Sequence, residues 1–212
     1  MKNEFFKRLL SSIILIPLAL FFIIKGSLFF ISFISLCFLI TSYEWYMMSK
    51  KKSYSILGFI FLVFSFYSVY KLRINPSNDY WFLLFITIIC VSTDIGGYVF
   101  GKILKGPKLT KFSPNKTYSG MIGGYLLSLI FITIFANDIS AKVDLPINWF
   151  VFVIFVSSIS QIGDIIISYF KRLSKIKDTG KIIPGHGGLL DRVDGMIFAL
   201  PFSYIIFLTD SL

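Results

Sequence analysis

Residues Ser168–Asp194 read SYFKRLSKIKDTGKIIPGHGGLLDRVD and hold six cations, three carboxylates, four glycines and the only histidine of the chain in 27 positions. Two long apolar segments flank them, roughly 148–170 and 188–208. A loop that only joined two membrane helices has no use for such a density of charge. Glycines let backbone amides approach an anion, and lysines and arginines neutralise one. The stretch reads as a phosphate-and-metal site held at a membrane surface.

Composition places that site in a membrane. The 212 residues are 56% hydrophobic and 18% aromatic, with mean hydropathy +0.79, which excludes an ordinary soluble domain. About 20 mostly apolar residues cross the hydrocarbon as a helix. Seven candidate spans follow, roughly 9–24, 27–43, 54–70, 81–101, 119–136, 148–170 and 188–208. The first two are separated only by Lys25 and Gly26 and read as a tight hairpin or as a broken single span. No small-residue cleavage site follows the first run, so it reads as a retained helix. The expected fold is an all-α, polytopic integral membrane bundle forming a single domain over 1–212, its N-terminus cytoplasmic. Cys37 and Cys90 both fall inside apolar spans and are poor candidates for a disulfide or zinc.

The net charge of +10 is not a nucleic-acid signal, because its distribution follows topology. With seven spans, 17 of the 21 Lys and Arg residues fall in cytoplasmic segments; only Lys25, Lys71, Arg73 and Lys142 face outward. The positive-inside rule therefore sets the orientation. The basic face attracts anionic headgroups and nucleotide phosphates alike.

A charged aspartate at mid-membrane costs about 2.5–3.5 kcal/mol on insertion scales and needs a partner or a wet cavity. Asp94 lies in the fourth span and Asp164 in the sixth, seven residues before Lys171, or roughly 10 Å of helix. Asp191 and Asp194 open the seventh span on one helical face. In the assigned topology all four gather toward the cytoplasmic side. Ser157, Gln161, Asp164 and Ser168 follow 4, 3, 4 spacing and form a polar stripe on the sixth span. Its serines and Gln161 read either as part of the site or as interhelical hydrogen bonds. Oxygen ligands without an imidazole or thiolate cluster suit a hard cation such as Mg2+, making Asp164, Asp191 and Asp194 the metal candidates. Pro184–Gly188 precedes the last helix, and its glycines with the helix N-terminus suit an anion. Gly96, Gly97, Gly101, Gly120, Gly123 and Gly124 read as close helix packing.

These residues also carry a family resemblance. Ser168, Phe170, Lys171, Arg172, Lys177, Asp178, Gly180, Ile183, Pro184, His186–Leu189 and Asp191–Asp194 resemble, position for position, the signature of the phosphatidate cytidylyltransferase (CDP-diacylglycerol synthase) family. The basic stretch KFSPNKTYSG at 111–120 resembles that family's Ser-Pro-x-Lys-Thr-x-x-Gly segment. It departs at Ser119, where glutamate is usual, and at Asn115, where a second lysine is common. Asp94 and Tyr98 resemble its Asp-x-x-x-Tyr stretch. The resemblance covers about 85–208, taken as the catalytic portion; the N-terminal third matches only in hydropathy. The chain is shorter than typical members, so one or two N-terminal spans are expected to be missing.

The resemblance implies transfer of a cytidylyl group from CTP to phosphatidate, with Mg2+ as cofactor. Asp164, Lys171, Arg172, Asp191, Arg192 and Asp194 are the expected catalytic residues. Asp94, Ser113, Lys116, Thr117, Lys177, Asp178, His186, Gly187 and Gly188 are the expected substrate contacts. The expected partners are CTP, phosphatidate in the bilayer and the membrane itself, with a homodimer allowed and no nucleic acid. The expected location is the bacterial inner (plasma) membrane with the site facing the cytoplasm. The alternatives are a CTP-dependent kinase of a lipid alcohol, which lacks the full signature, and a cation transporter using Asp94 and Asp164. Transporter carboxylates sit at the midplane between broken helices, whereas these gather at one face.

Overall fold

The computed structural model describes residues 15–74, 80–110, 113, 116–140, 148–183 and 187–210. They form seven helices and no strand: α1 Leu15–Lys25, α2 Ser27–Ser49, α3 Ser55–Ile74, α4 Trp81–Leu104, α5 Tyr118–Ser140, α6 Trp149–Leu173 and α7 Leu190–Asp210. Helices α2, α3, α4 and α6 are long and apolar enough to cross a membrane. The described residues of α1 begin at Leu15, so positions 9–14 of the first expected span lie outside them. Helix α7 is long enough, but Asp191, Arg192 and Asp194 occupy its first two turns.

The helix order matches the apolar runs, while several boundaries move. Helix α2 continues to Ser49, six residues beyond its expected end at 43, and carries Glu44 with it. The apolar run ends there, but the helix does not, because Glu44 is buried and hydrogen-bonded. Helix α6 begins at an Asn148 cap, whose side chain accepts from the Phe150 amide at 3.0 Å. The break between α1 and α2 falls at Gly26, whose φ of 66° suits glycine. Arg73 of α3 reaches that break and donates to the Ile23 carbonyl at 2.7 Å, so the hairpin is fastened from outside.

Apolar packing fills the bundle far from the charged loops. Phe82, Phe85, Ile86 and Ile89 of α4, Phe152, Val153 and Val156 of α6, Phe30 and Leu72 are buried together. Phe85 and Phe152 stack with ring centroids 5.9 Å apart. A second cluster of Trp45, Met48, Leu62, Ile167, Leu190 and Ile197 lies under the charged end. There Ser174 Oγ donates to the Met48 carbonyl at 2.7 Å, and Tyr54 shares a hydrogen bond with Ser174 at 3.1 Å. The ends of α2 and α6 and the start of α3 thus meet on the side that carries the site. Leu28, Leu36, Leu39, Ile56, Leu57 and Ile60 point outward, as hydrocarbon contact requires of an apolar exterior. Cys37 and Cys90 are free thiols.

Helices α4 and α5 touch backbone to backbone. A Cβ at Gly96 would stand 2.4 Å from the Gly123 carbonyl, and one at Gly120 would stand 2.6 Å from the Gly97 carbonyl. This is the small-residue packing that the glycine spacing predicts. Pro201 interrupts α7 and withholds the amide that would bond the Ile197 carbonyl. Ser65 of α3 donates its hydroxyl to that carbonyl instead.

Room differs sharply between paired glycines, since a Cβ at Gly97 would lie 3.7 Å from its nearest neighbour. Gly120→Ala is therefore expected to destabilise by about 1–3 kcal/mol through overpacking, and Gly97→Ala far less. Thermal unfolding of the two variants in one detergent measures the contrast.

Candidate active site

Three elements deliver carboxylates to the charged end of the bundle. Asp94 comes from α4, Asp164 from α6 and Asp194 from α7, and they lie within electrostatic reach of one another. Asp94 is the most exposed and Asp194 the most buried. Cations from three segments surround them. Lys116, from the loop between α4 and α5, pairs with Asp164. Lys171 pairs with Asp191 at 2.8 Å, and Arg192 acts on Asp94. The one-ended gathering expected from charge segregation is thus present in three dimensions.

Asp191 is the most fully engaged of the four aspartates. Its Oδ1 accepts from Lys171 Nζ at 2.8 Å, and its Oδ2 accepts from the amides of Thr179 at 2.8 Å and Gly188 at 3.0 Å. A carboxylate has about four acceptor positions, so one remains beside Lys171. Gly187 adopts φ 87° and lies so close that a Cβ there would stand 2.9 Å from Asp191 Oδ2. No residue larger than glycine fits that turn without displacing the carboxylate.

The start of α7 carries a correction to the sequence expectation. Its amides were expected to face a phosphate, but carboxylates of the chain itself hold them. Gly188 N goes to Asp191, while Leu189 N and Leu190 N donate to Glu44 at 2.9 and 2.8 Å. Glu44, only 1% exposed, also accepts from Thr179 Oγ1 at 3.0 Å. Sequence reading missed it. The signal was present, a lone carboxylate in an otherwise apolar helix.

The basic loop of α4–α5 is built for shape as well as charge. Leu109 N donates to the Lys116 carbonyl at 2.7 Å and Lys116 N to the Ser113 carbonyl at 3.1 Å. These bonds turn Lys116 toward α6. Thr117 caps α5, its hydroxyl accepting from Gly120 N at 3.1 Å. Ser119, standing where the resembled pattern has glutamate, bonds Thr117 Oγ1 at 2.9 Å and donates to the Lys105 carbonyl. Thr93 of α4 donates to Ser157 of α6 at 2.9 Å, and Gln161 of α6 reaches the Met121 carbonyl of α5 at 3.5 Å. Ser157 and Gln161 therefore act as interhelical bonds, the second reading of that stripe. Arg172, Lys177 and Asp178 are exposed in the signature loop, and Asp178 lies beside Gly187, where a Cβ would stand 3.3 Å from Asp178 Cβ. Arg172 closes the end of α6 by donating to the Ile176 carbonyl at 3.3 Å. His186, Pro184 and Asn115 lie outside the described residues.

Whether this site suits a divalent ion depends on its donors. Among the described residues, no group of three or more His, Cys, Asp or Glu side chains is placed to hold one. Asp164 and Asp191 are each drawn to a lysine instead. The donor set nonetheless fits a hard cation in kind: all oxygen, from α6 and α7.

A polytopic helical membrane protein, with an acidic cluster ringed by cations at one end, is the class that this fold and site define. The sequence pattern of the cytidylyltransferase family matches residues 54–209. The chain belongs to that family. It is 35% identical over 213 aligned positions to the phosphatidate cytidylyltransferase of Rickettsia bellii (strain RML369-C), covering 97% of this chain and 91% of that protein. It is 36% identical over 185 residues to the protein of that name from Brucella suis biovar 1 (strain 1330), covering 85% of this chain and 66% of the relative. The corresponding Bacillus subtilis (strain 168) protein is 35% identical over 152 residues, covering 71% and 56%. The chain therefore spans just under two thirds of the Brucella relative. The similarity also extends beyond residues 85–208, into the N-terminal third that was expected to match only in hydropathy.

Lys171 and Asp191 are 12% and 5% exposed, so removing one partner strands a buried charge. Lys171→Met is expected to destabilise by roughly 3–5 kcal/mol, and Lys171→Met with Asp191→Asn by clearly less. Thermal melts of the two single variants and the double variant give the coupling.

Proposed function

We propose that this chain converts CTP and phosphatidate to CDP-diacylglycerol and pyrophosphate. The observation that carries the reading is the convergence of Asp94, Asp164 and Asp194 from three helices, with Lys116, Lys171 and Arg192 around them. The names of the Rickettsia, Brucella and Bacillus relatives support the same activity.

The chemistry needs little beyond positioning and charge. A phosphate oxygen of phosphatidate attacks the α-phosphorus of CTP. The new O–P bond forms as the bond from that phosphorus to the bridging oxygen breaks, and pyrophosphate leaves with the electron pair. The nucleophile is already an anion, so no strong general base is required. The barrier is the crowding of two polyanions, which fixed cations relieve by electrostatic stabilisation and orientation.

Lys116 and Lys171 are the inner cations for the nucleotide phosphates, while Arg172 and Lys177 on the outer loop suit the approach of anionic headgroups. Asp164 and Asp194, with Asp191 three residues before Asp194 on α7, are the residues that would hold Mg2+. When bound, the ion would neutralise phosphate charge at the reacting centre. Positive-inside asymmetry supports a cytoplasm-facing site, in the inner membrane of a bacterium. A homodimer would be read from the mass of the detergent-solubilised protein.

Purified protein in detergent, supplied with CTP and phosphatidate, is expected to release CDP-diacylglycerol and pyrophosphate only when Mg2+ is present. Asp164→Asn is expected to lower kcat by about 100-fold or more. Product identification by mass spectrometry decides the reaction. Release of CDP with a phosphorylated alcohol would instead establish a lipid-alcohol kinase.

A further inference from the structure

Glu44 is a deeply buried carboxylate that the proposed chemistry does not use. It comes from α2, which supplies none of the clustered aspartates, and it grips both ends of the signature loop. Thr179 Oγ1 donates to Glu44 Oε2 from one end; Leu189 N and Leu190 N donate to Oε1 and Oε2 from the other. Cβ atoms at Gly180 and Gly188 would stand 2.7 and 2.5 Å from the Glu44 carboxylate, so the loop is wrapped tightly around it.

The same two segments also hold Asp191. Thr179 gives its hydroxyl to Glu44 and its amide to Asp191. The successive amides of Gly188 and Leu189 are divided in the same way. Where Asp191 stands, and the helical turn that carries Asp194 behind it, thus depend on Glu44. As an anion at the start of α7, Glu44 also offsets the positive end of the helix dipole, which leaves phosphates to the lysines and arginines.

We infer that Glu44 is a positioning residue for the α7 carboxylates, acting through the signature loop. Its kinetic consequence rests on the cytidylyl-transfer reading; its structural consequence does not. Glutamine cannot replace it, because an amide offers one acceptor oxygen and turns its NH2 toward a donor in either orientation. Aspartate keeps both oxygens on a shorter stem.

The test compares wild type, Glu44→Gln, Glu44→Asp and Thr179→Val as full-length protein in detergent with phosphatidate. Each is read by melting temperature, by kcat and KM for CTP, and by hydrogen exchange at residues 187–190. Folded Glu44→Gln is expected to lose roughly 10–100-fold in kcat, the usual effect of removing a partner that orients a site residue. Its KM for CTP should stay within about 3-fold, as for a group that does not bind the nucleotide. Exchange at 187–190 should quicken, and Glu44→Asp should recover part of both losses. Unchanged kcat and exchange in folded Glu44→Gln would overturn the inference. So would a kcat loss that vanishes once corrected for the folded fraction. If Glu44→Gln does not fold, Thr179→Val removes one of the three bonds and is judged on the same outcomes. If wild type itself does not turn over CTP, the cytidylyl-transfer reading fails, and exchange at 187–190 still decides the clamp.

Discussion

A carboxylate placed beside hydrocarbon must be met by donors, because leaving one bare in a low-dielectric setting is far more expensive than any single packing contact here. Much of the charged end of this protein follows from that requirement. Glu44 is met by a hydroxyl and two backbone amides, Asp191 by a lysine and two amides, and Asp164 by Lys116. The Glu44 and Asp164 solutions tie a loop to a helix distant in sequence, and the Asp191 solution ties the signature loop to the ends of α6 and α7. The loops are therefore shaped by the acids they enclose as much as by their own turn residues.

The carboxylates divide by role. Glu44 and Asp191 are saturated or nearly so and fix the backbone between α6 and α7. Asp94, Asp164 and Asp194 are less completely paired among themselves and gather where α4, α6 and α7 converge. Lys116 crosses this gathering from the α4–α5 hairpin, whose glycine contact makes it a single stiff unit. Positioning of the acidic group is thus shared between two parts of the bundle, with the basic loop on one side and the signature loop on the other. For a reaction whose barrier is charge repulsion, that arrangement supplies cations from both directions.

The helices were legible in the sequence because apolar runs and their interruptions are local. The glycine contact at 96–124 was legible for the same reason, since spacing alone marks a small-residue face. The one-ended gathering of Asp94, Asp164 and Asp194 followed from topology, once the cations had set the orientation. Glu44 was not legible, because its partners lie 135 to 146 residues away and two of them are backbone amides. Backbone donors carry no side-chain signature, so no motif announces them. The glycines before α7 misled for a related reason: they do permit close approach to an anion, but the anions are the chain's own carboxylates. Thr117, expected to contact substrate, caps α5, a role that its position just before a helix already allowed.

The exchange of bonds at Pro201 reaches beyond packing. A membrane helix that gives up an internal hydrogen bond exposes a carbonyl that has no water to turn to. Here Ser65 from the neighbouring helix takes the place of the missing amide. Positions 65 and 201 are therefore one heritable unit. A proline at 201 without a donor at 65 would leave the Ile197 carbonyl bare in hydrocarbon. In a set of descendants of this chain, the two positions should change together, leaving a covariation signal between α3 and α7 that owes nothing to catalysis.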